Sequence, residues 1–211
     1  MKLHGKKALI FYFVIMLSIT LLSNTIYYSV MNWVPNMLYE VFAMPQSISI
    51  LLTISLPCTS VVGGIVAINY CEKVKNIINV SIVMHLIATI IAIPFAIIYD
   101  VNIVLSIVLL IIFNCISAGV RGVFGGVMAF KMRTQINAGS YAAISNAVAA
   151  LAAGFIPPLA GSIIDSSLGY QGLYWIVAVV CVVLFAVLIG LNASYKKKYK
   201  DKTSQANNGC C

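Results

Sequence analysis

A chain of 211 residues that is 62% hydrophobic and only 9% charged lacks the water-facing surface of a soluble domain, where about a quarter of residues carry charge. The composition excludes a soluble globular protein and points to one solvated by lipid. The net charge of +8 does not indicate a nucleic-acid partner, because the cations sit between apolar runs and read as topology signals.

The opening residues "MKLHGKK" and the apolar run behind them imitate a secretory leader. The uncharged stretch from Ala8 to Tyr39 is far longer than a leader's core of about 7–15 residues. No small-residue cleavage pattern follows it, so the segment is expected to be kept as a spanning helix. A bilayer core of about 30 Å takes roughly 20 helical residues. Charge-free windows of that length fall at about 8–33, 46–70, 77–99, 102–130, 140–164 and 170–194. The predicted fold is therefore all-α, a polytopic membrane protein of six transmembrane helices. The membrane domain covers 1–195, and 196–211 form a basic polar tail. Continuous Ile/Val/Leu/Ala blocks exclude the short alternating segments of a β-barrel.

The connections give the orientation. Lys2, Lys6 and Lys7 precede the first helix, Lys73 and Lys75 fall in the second connection, and Lys131 and Arg133 in the fourth. The tail carries "KKKYKDK", whereas the first, third and fifth connections hold only Glu40, Asp100 and Asp165. The cations outside the membrane thus alternate onto one side, which the positive-inside rule assigns to the cytoplasm. Both termini are expected there, and the protein in the cell (plasma) membrane.

The helices differ in polarity. The first carries Asn24, Tyr27 and Tyr28, a poor face for lipid. The fifth, "GSYAAISNAVAALAAGFIPPLAGS", is built of Ala, Gly and Ser with Asn146 near its middle. Small residues let helices approach closely, so this helix is expected either among neighbours or along a cavity. Its Pro157-Pro158 pair is expected to break or kink it near the outer face. The sixth has almost nothing polar and suits a lipid-facing position.

Cys58, Cys71, Cys115 and Cys181 are scattered through apolar runs and read as small hydrophobes. No cysteine or histidine pair has metal-ligand spacing, and neither a metal nor a cofactor is expected. Cys210-Cys211 could accept a lipid, although a polar tail ending in two thiols is the simpler reading.

Several stretches resemble the major facilitator superfamily. "PPLAGSIIDSSLGYQGLYW" is similar to the join between that family's last two helices, with Gly161, Asp165 and Gly169 at matching spacing. "NWVPNMLYE" resembles the outer end of its seventh helix, especially in organophosphate-type antiporters. "VVGGIVAINYCEKVK" resembles the loop signature after its eighth helix, with Ile68 where that family has an aspartate. The resemblance implies the carboxy-terminal half of a twelve-helix transporter, built as two inverted three-helix repeats. It further implies that helices one, two, four and five face a central cavity and three and six face lipid. The amino-terminal half is then missing, so the chain is expected to be a fragment or split product, or to pair with another half or a second copy of itself.

Arg121, inside "NCISAGVRGVFGGVMAF", is the residue that most demands a function. It lies ten residues before Lys131, about 15 Å of helix at 1.5 Å per residue, which sets it near mid-membrane. An arginine there costs about 2.5–3.5 kcal/mol on insertion scales and normally faces a cavity or a partner. Gly122 and Gly126 form a small-xxx-small pair for packing, while Arg121 shares a polar, small stripe with Asn114, Ala118 and Gly125. Every carboxylate (Glu40, Glu72, Asp100, Asp165, Asp201) lies at an edge, loop or tail. The counter-charge is thus expected from a substrate anion, a missing half, or water and carbonyls. Arginine suits planar, bidentate recognition of carboxylate or phosphate; the competing role is a structural arginine snorkelling toward the cytoplasmic interface.

His85 is the one side chain inside the membrane with an ordinary pKa near neutrality. It is a candidate proton group, weighed against a hydrogen-bonded packing histidine. Trp33 and Tyr39 sit where an interfacial aromatic belt would place them. Asn114 and Asn146 could bind substrate or each other, and Asn24, Tyr27 and Tyr28 complete the candidate substrate set.

The function expected from these residues is half of a secondary active transporter that moves a small anionic organic solute by alternating access. The alternative is a non-transporting membrane subunit or interaction protein on the same fold. An enzyme is not expected, because no nucleophile–base pair or carboxylate cluster lies at depth. A channel would need a filter motif, and none is visible.

Overall fold

A computed structural model describes residues 6–74, 77–131, 133 and 137–208. Among them are six helices long and apolar enough to cross a membrane: Ile10–Phe42, Gln46–Lys73, Ile77–Ile98, Ile103–Phe130, Ala138–Ile164 and Gly169–Ser194. The protein is a multi-pass membrane protein by length and composition, with no strand among the described residues. Cys210, Cys211, Lys2 and Lys75 lie outside them.

The first span is two helices in series, α1 (Lys6–Met31) and α2 (Val34–Phe42), so it runs well beyond the expected end at 33. Pro35 occupies the first turn of α2, where its missing N–H costs nothing. The C-terminal end of α2 closes on Ala43 at φ 50°, an uncommon left-handed conformation for a residue with a Cβ.

The other spans are α3 (Gln46–Lys73), α4 (Ile77–Ile98), α5 (Ile103–Gly122), α7 (Ala138–Ile164) and α8 (Gly169–Asn208). Between α5 and the short α6 (Met128–Lys131) lies a π-helical segment, Val123–Val127. Asn102 and Asn137 cap α5 and α7: the Oδ1 of Asn102 accepts from the amides of Val104 and Leu105, and that of Asn137 from Gly139 and Ser140. These caps satisfy amides that a helix start leaves without partners. Gly169 turns α7 into α8 at φ +56°, a conformation open to glycine and strained for other residues.

The packing is organised around α5. It lies against α3, α4 and α1, while α7 lies against α1 and α8 against both α4 and α1. A continuous apolar core runs through the bundle, from Met16 and Ile26 through Leu110 and Phe124 to Cys181 and Leu188.

Three expectations need correction. The helix α7 runs unbroken through Pro157 and Pro158; neighbouring helices and side chains can re-satisfy the carbonyls a membrane proline frees. That helix is also not buried among neighbours, since only 17% of its span is buried, the same as α3 and against 44% for the α5 span. The sixth span does not merely face lipid, because Tyr174, Cys181, Leu184 and Leu188 of α8 form a buried face.

Candidate functional site

The close approach of α3 to α5 rests on small residues. A Cβ on Gly63 would strike the carbonyl oxygen of Cys115, and one on Gly122 would lie 3.7 Å from Cα of Gly64. Gly119 is covered by Met84 and Ala67. The expected pair was Gly122 with Gly126, but a Cβ on Gly126 would meet open space. The packing face is therefore the Cys115 backbone and Gly122 against Gly63 and Gly64, with Gly119 against Met84 and Ala67 and Gly126 outside it. Of the stretch resembling a loop signature, all but the last residues are helix, through Lys73.

Asn114 stitches this contact. Its Nδ2 donates to the carbonyl of Leu56 and lies 3.0 Å from Oγ1 of Thr59 and 2.9 Å from Oγ of Ser60. The Ser60 hydroxyl lies 3.2 Å from Asn114 Oδ1. Buried and fully engaged, Asn114 acts here as a strut between α5 and α3.

Two turns further along the same face, Arg121 meets α1. Its guanidinium carbon stands 3.5 Å from the centroid of the Tyr27 ring, and Tyr28 packs edge-on against Tyr27 at 5.0 Å. Arg121 lies nine residues before Phe130, and Tyr27 lies seventeen after Ile10. At 1.5 Å per residue these are about 14 Å and 25 Å from the lysine-bearing end. The guanidinium therefore leans away from that end, as helical side chains lean toward their own N-terminus. The competing role, snorkelling toward Lys131, does not describe a guanidinium stacked on Tyr27.

The magnitudes show what this leaves undone. Stacking on a desolvated ring contributes about 2 kcal/mol, against about 2.5–3.5 kcal/mol for placing arginine mid-membrane. Among the described residues the buried Nε of Arg121 has no acceptor. The site is a cation partly offset by an aromatic face, with a donor to spare.

Directly after Arg121 the helix widens into the π segment Val123–Val127. Such widenings leave backbone groups without regular partners and often mark functional sites. Tyr141 of α7, fully buried, donates its hydroxyl to the carbonyl of Phe124 at 2.8 Å and packs edge-on against Phe13 of α1. It thereby ties α7 to the backbone beside Arg121. Sequence reasoning missed this tyrosine; the Gly125-Gly126 pair was the visible sign of irregular backbone.

The other candidates disperse. The Nδ2 of Asn24 donates to the carbonyl of Thr20 within α1, 2.8 Å away, one turn from Tyr27. Asn146 is exposed on α7, on a face of small residues with Ala143, Ala147, Ala150 and Gly154. His85 is buried between α4 and α8, its Nε2 3.1 Å from the carbonyl of Cys181, so it packs between spans away from Arg121. About three turns further along α8, Asn192 donates to Oδ1 of Asn79 on α4, at 2.9 Å.

At the other end of the bundle, Trp33 is no simple belt residue. Its indole donates to the carbonyl of Pro157 at 3.1 Å, and a Cβ on Gly161 would strike its ring at 2.6 Å. Gly161 is thus the notch that lets the join of α1 and α2 clasp α7. Tyr39 is exposed. Phe95, Tyr99, Tyr170 and Tyr174 cluster where α4 meets α8. Burial holds the Tyr99 phenol above its usual range, and the neighbouring Asp100 adds to the effect.

Among the described residues no group of three His, Cys, Asp or Glu side chains converges on a metal-sized point. No protein-family model matches the chain, and no curated protein matches it either.

Proposed function

We propose that this chain is the six-helix half of a secondary active transporter. It would work with a second half to move a small anionic organic solute across the cell membrane. The observation that carries the reading is Arg121: a mid-membrane cation stacked on Tyr27, its Nε without an acceptor among the described residues, while each carboxylate sits at the end of a span or beyond it. A carboxylate or phosphate on the solute would supply the missing acceptor bidentately.

The helix arrangement is consistent with two inverted three-helix repeats, the architecture of the major facilitator superfamily that the sequence resembles. Exchanging span one with four, two with five and three with six maps the packing pairs onto one another. The pair α3–α5 becomes α7–α1, α4–α5 becomes α8–α1, and α4–α8 maps onto itself. The two least buried spans, α3 and α7, exchange under the same operation, and theirs are the faces a second half would cover. Lysines at one end of the bundle support cytoplasmic termini by the positive-inside rule.

One observation favours the alternative, a non-transporting subunit: the stacked Tyr27 already gives Arg121 a structural partner. Uptake separates the two. Proteoliposomes containing this chain with a six-helix amino-terminal half should take up at least one of labelled phosphate, glycerol 3-phosphate and succinate, and Arg121→Gln should abolish that uptake without affecting insertion. Unchanged uptake in the variant would remove the anion site, and no uptake of any probe by the unaltered chain would favour the subunit.

A further inference from the structure

Away from Arg121, α3 and α4 are consecutive in sequence yet touch only slightly. At their lysine-bearing end the gap between them is a groove of about 430 Å³, within the roughly 300–1,000 Å³ range of ligand sites. Its walls are Val66, Tyr70, Val83 and Ile87, and Ala67 with Met84 lies deeper. Small residues make the depth: Ala67 is fully buried, and Gly119 behind it admits the end of Met84. Val66, Tyr70 and Val83 are more than half or nearly half exposed, so the groove opens on the outside of the bundle.

The mouth differs in character from the walls. Residues four and seven apart share a helix face, so Val66, Tyr70 and Lys73 form one stripe ending in an exposed cation. Glu72 is about 120° off that stripe at 100° per residue. Across the mouth Asn79 lines the groove and is held by Asn192. An apolar slot with the exposed Lys73 and the aromatic Tyr70 at its mouth has the polarity of a lipid rather than of a helix. Among its described side chains, a second copy of this chain would have only Glu72 to set against Lys73 at this end.

We infer that the groove between α3 and α4 binds one anionic phospholipid, its acyl chain along Val66, Val83 and Ile87 and its phosphate at Lys73. This site is separate from Arg121 and does not rest on the transporter reading.

Native mass spectrometry of the detergent-purified chain, with phosphatidylglycerol and phosphatidylcholine of the same acyl chains as probes, tests it. The unaltered chain should retain one phosphatidylglycerol. Lys73→Gln should lower its preference over phosphatidylcholine about fivefold, the share of one lysine near an anionic headgroup. Val83→Trp, at an exposed position, should fill the slot and abolish retention of both lipids, whereas Val182→Trp on the exposed face of α8 should change nothing. No retained lipid in the unaltered chain, or equal retention in Val83→Trp, would overturn the site. Full headgroup preference in Lys73→Gln would overturn the phosphate assignment. A dimer that Val83→Trp converts to monomer would make the occupant a second copy and overturn the proposal.

Discussion

Arg121 of α5 lies over the ring of Tyr27 of α1, 3.5 Å from its centroid, in the middle of the membrane-spanning bundle. The contact joins two spans through a charge the bilayer disfavours and leaves one guanidinium donor unused. Removing the ring and removing the charge should therefore have different consequences.

Tyr27→Phe keeps the aromatic face and should leave the thermal unfolding midpoint in detergent close to that of the parent chain. Tyr27→Leu loses the stacking, worth about 0.5–2 kcal/mol, and should lower the midpoint measurably. Equal midpoints for the two variants would mean that the ring does not stabilise the cation.

Gly63 is the tightest point of the bundle, since any side chain there meets the Cys115 backbone. Gly63→Ala should destabilise by about 1–3 kcal/mol, the usual cost of overpacking. Gly154→Ala on the open face of α7 should be neutral or slightly stabilising, because alanine favours helix over glycine by about 1 kcal/mol. Denaturant titration of the two variants in the same detergent makes the comparison.

Tyr141→Phe removes one hydroxyl and leaves the Phe124 carbonyl buried without that donor. A loss of about 1–3 kcal/mol is expected, with faster amide exchange confined to the residues around Val123–Val127. Exchange unchanged in that segment would mean that Tyr141 does not hold the π segment in place.

Much of the fold was legible because lipid imposes a simple code. Unbroken apolar windows separated by alternating cations located the spans, and five of the six agree with the helices to within a few residues. The first ran longer because Pro35 sits in the first turn of α2, where proline starts a helix as readily as it stops one. Which helix face meets which neighbour was less legible. Gly126 and Gly122 have the spacing of a packing pair, yet only Gly122 faces another backbone, since the π segment between them alters the helical register. Asn114 and Arg121 share a stripe, but one is spent on α3 and the other stacks on α1. Nothing local in "NWVP" or "FIPP" signals that Trp33 will bond to Pro157, 124 residues away.

The proposed function stands on Arg121 receiving an anion. Its most direct test is the shift in thermal unfolding midpoint of the purified chain, in neutral detergent, on adding phosphate, glycerol 3-phosphate or succinate. A ligand that binds only the folded state stabilises it by about 2.7 kcal/mol at a hundredfold excess over Kd. At least one of these anions should raise the midpoint of the unaltered chain and leave Arg121→Gln unmoved. No shift with any of them, or the same shift in Arg121→Gln, would contradict the account.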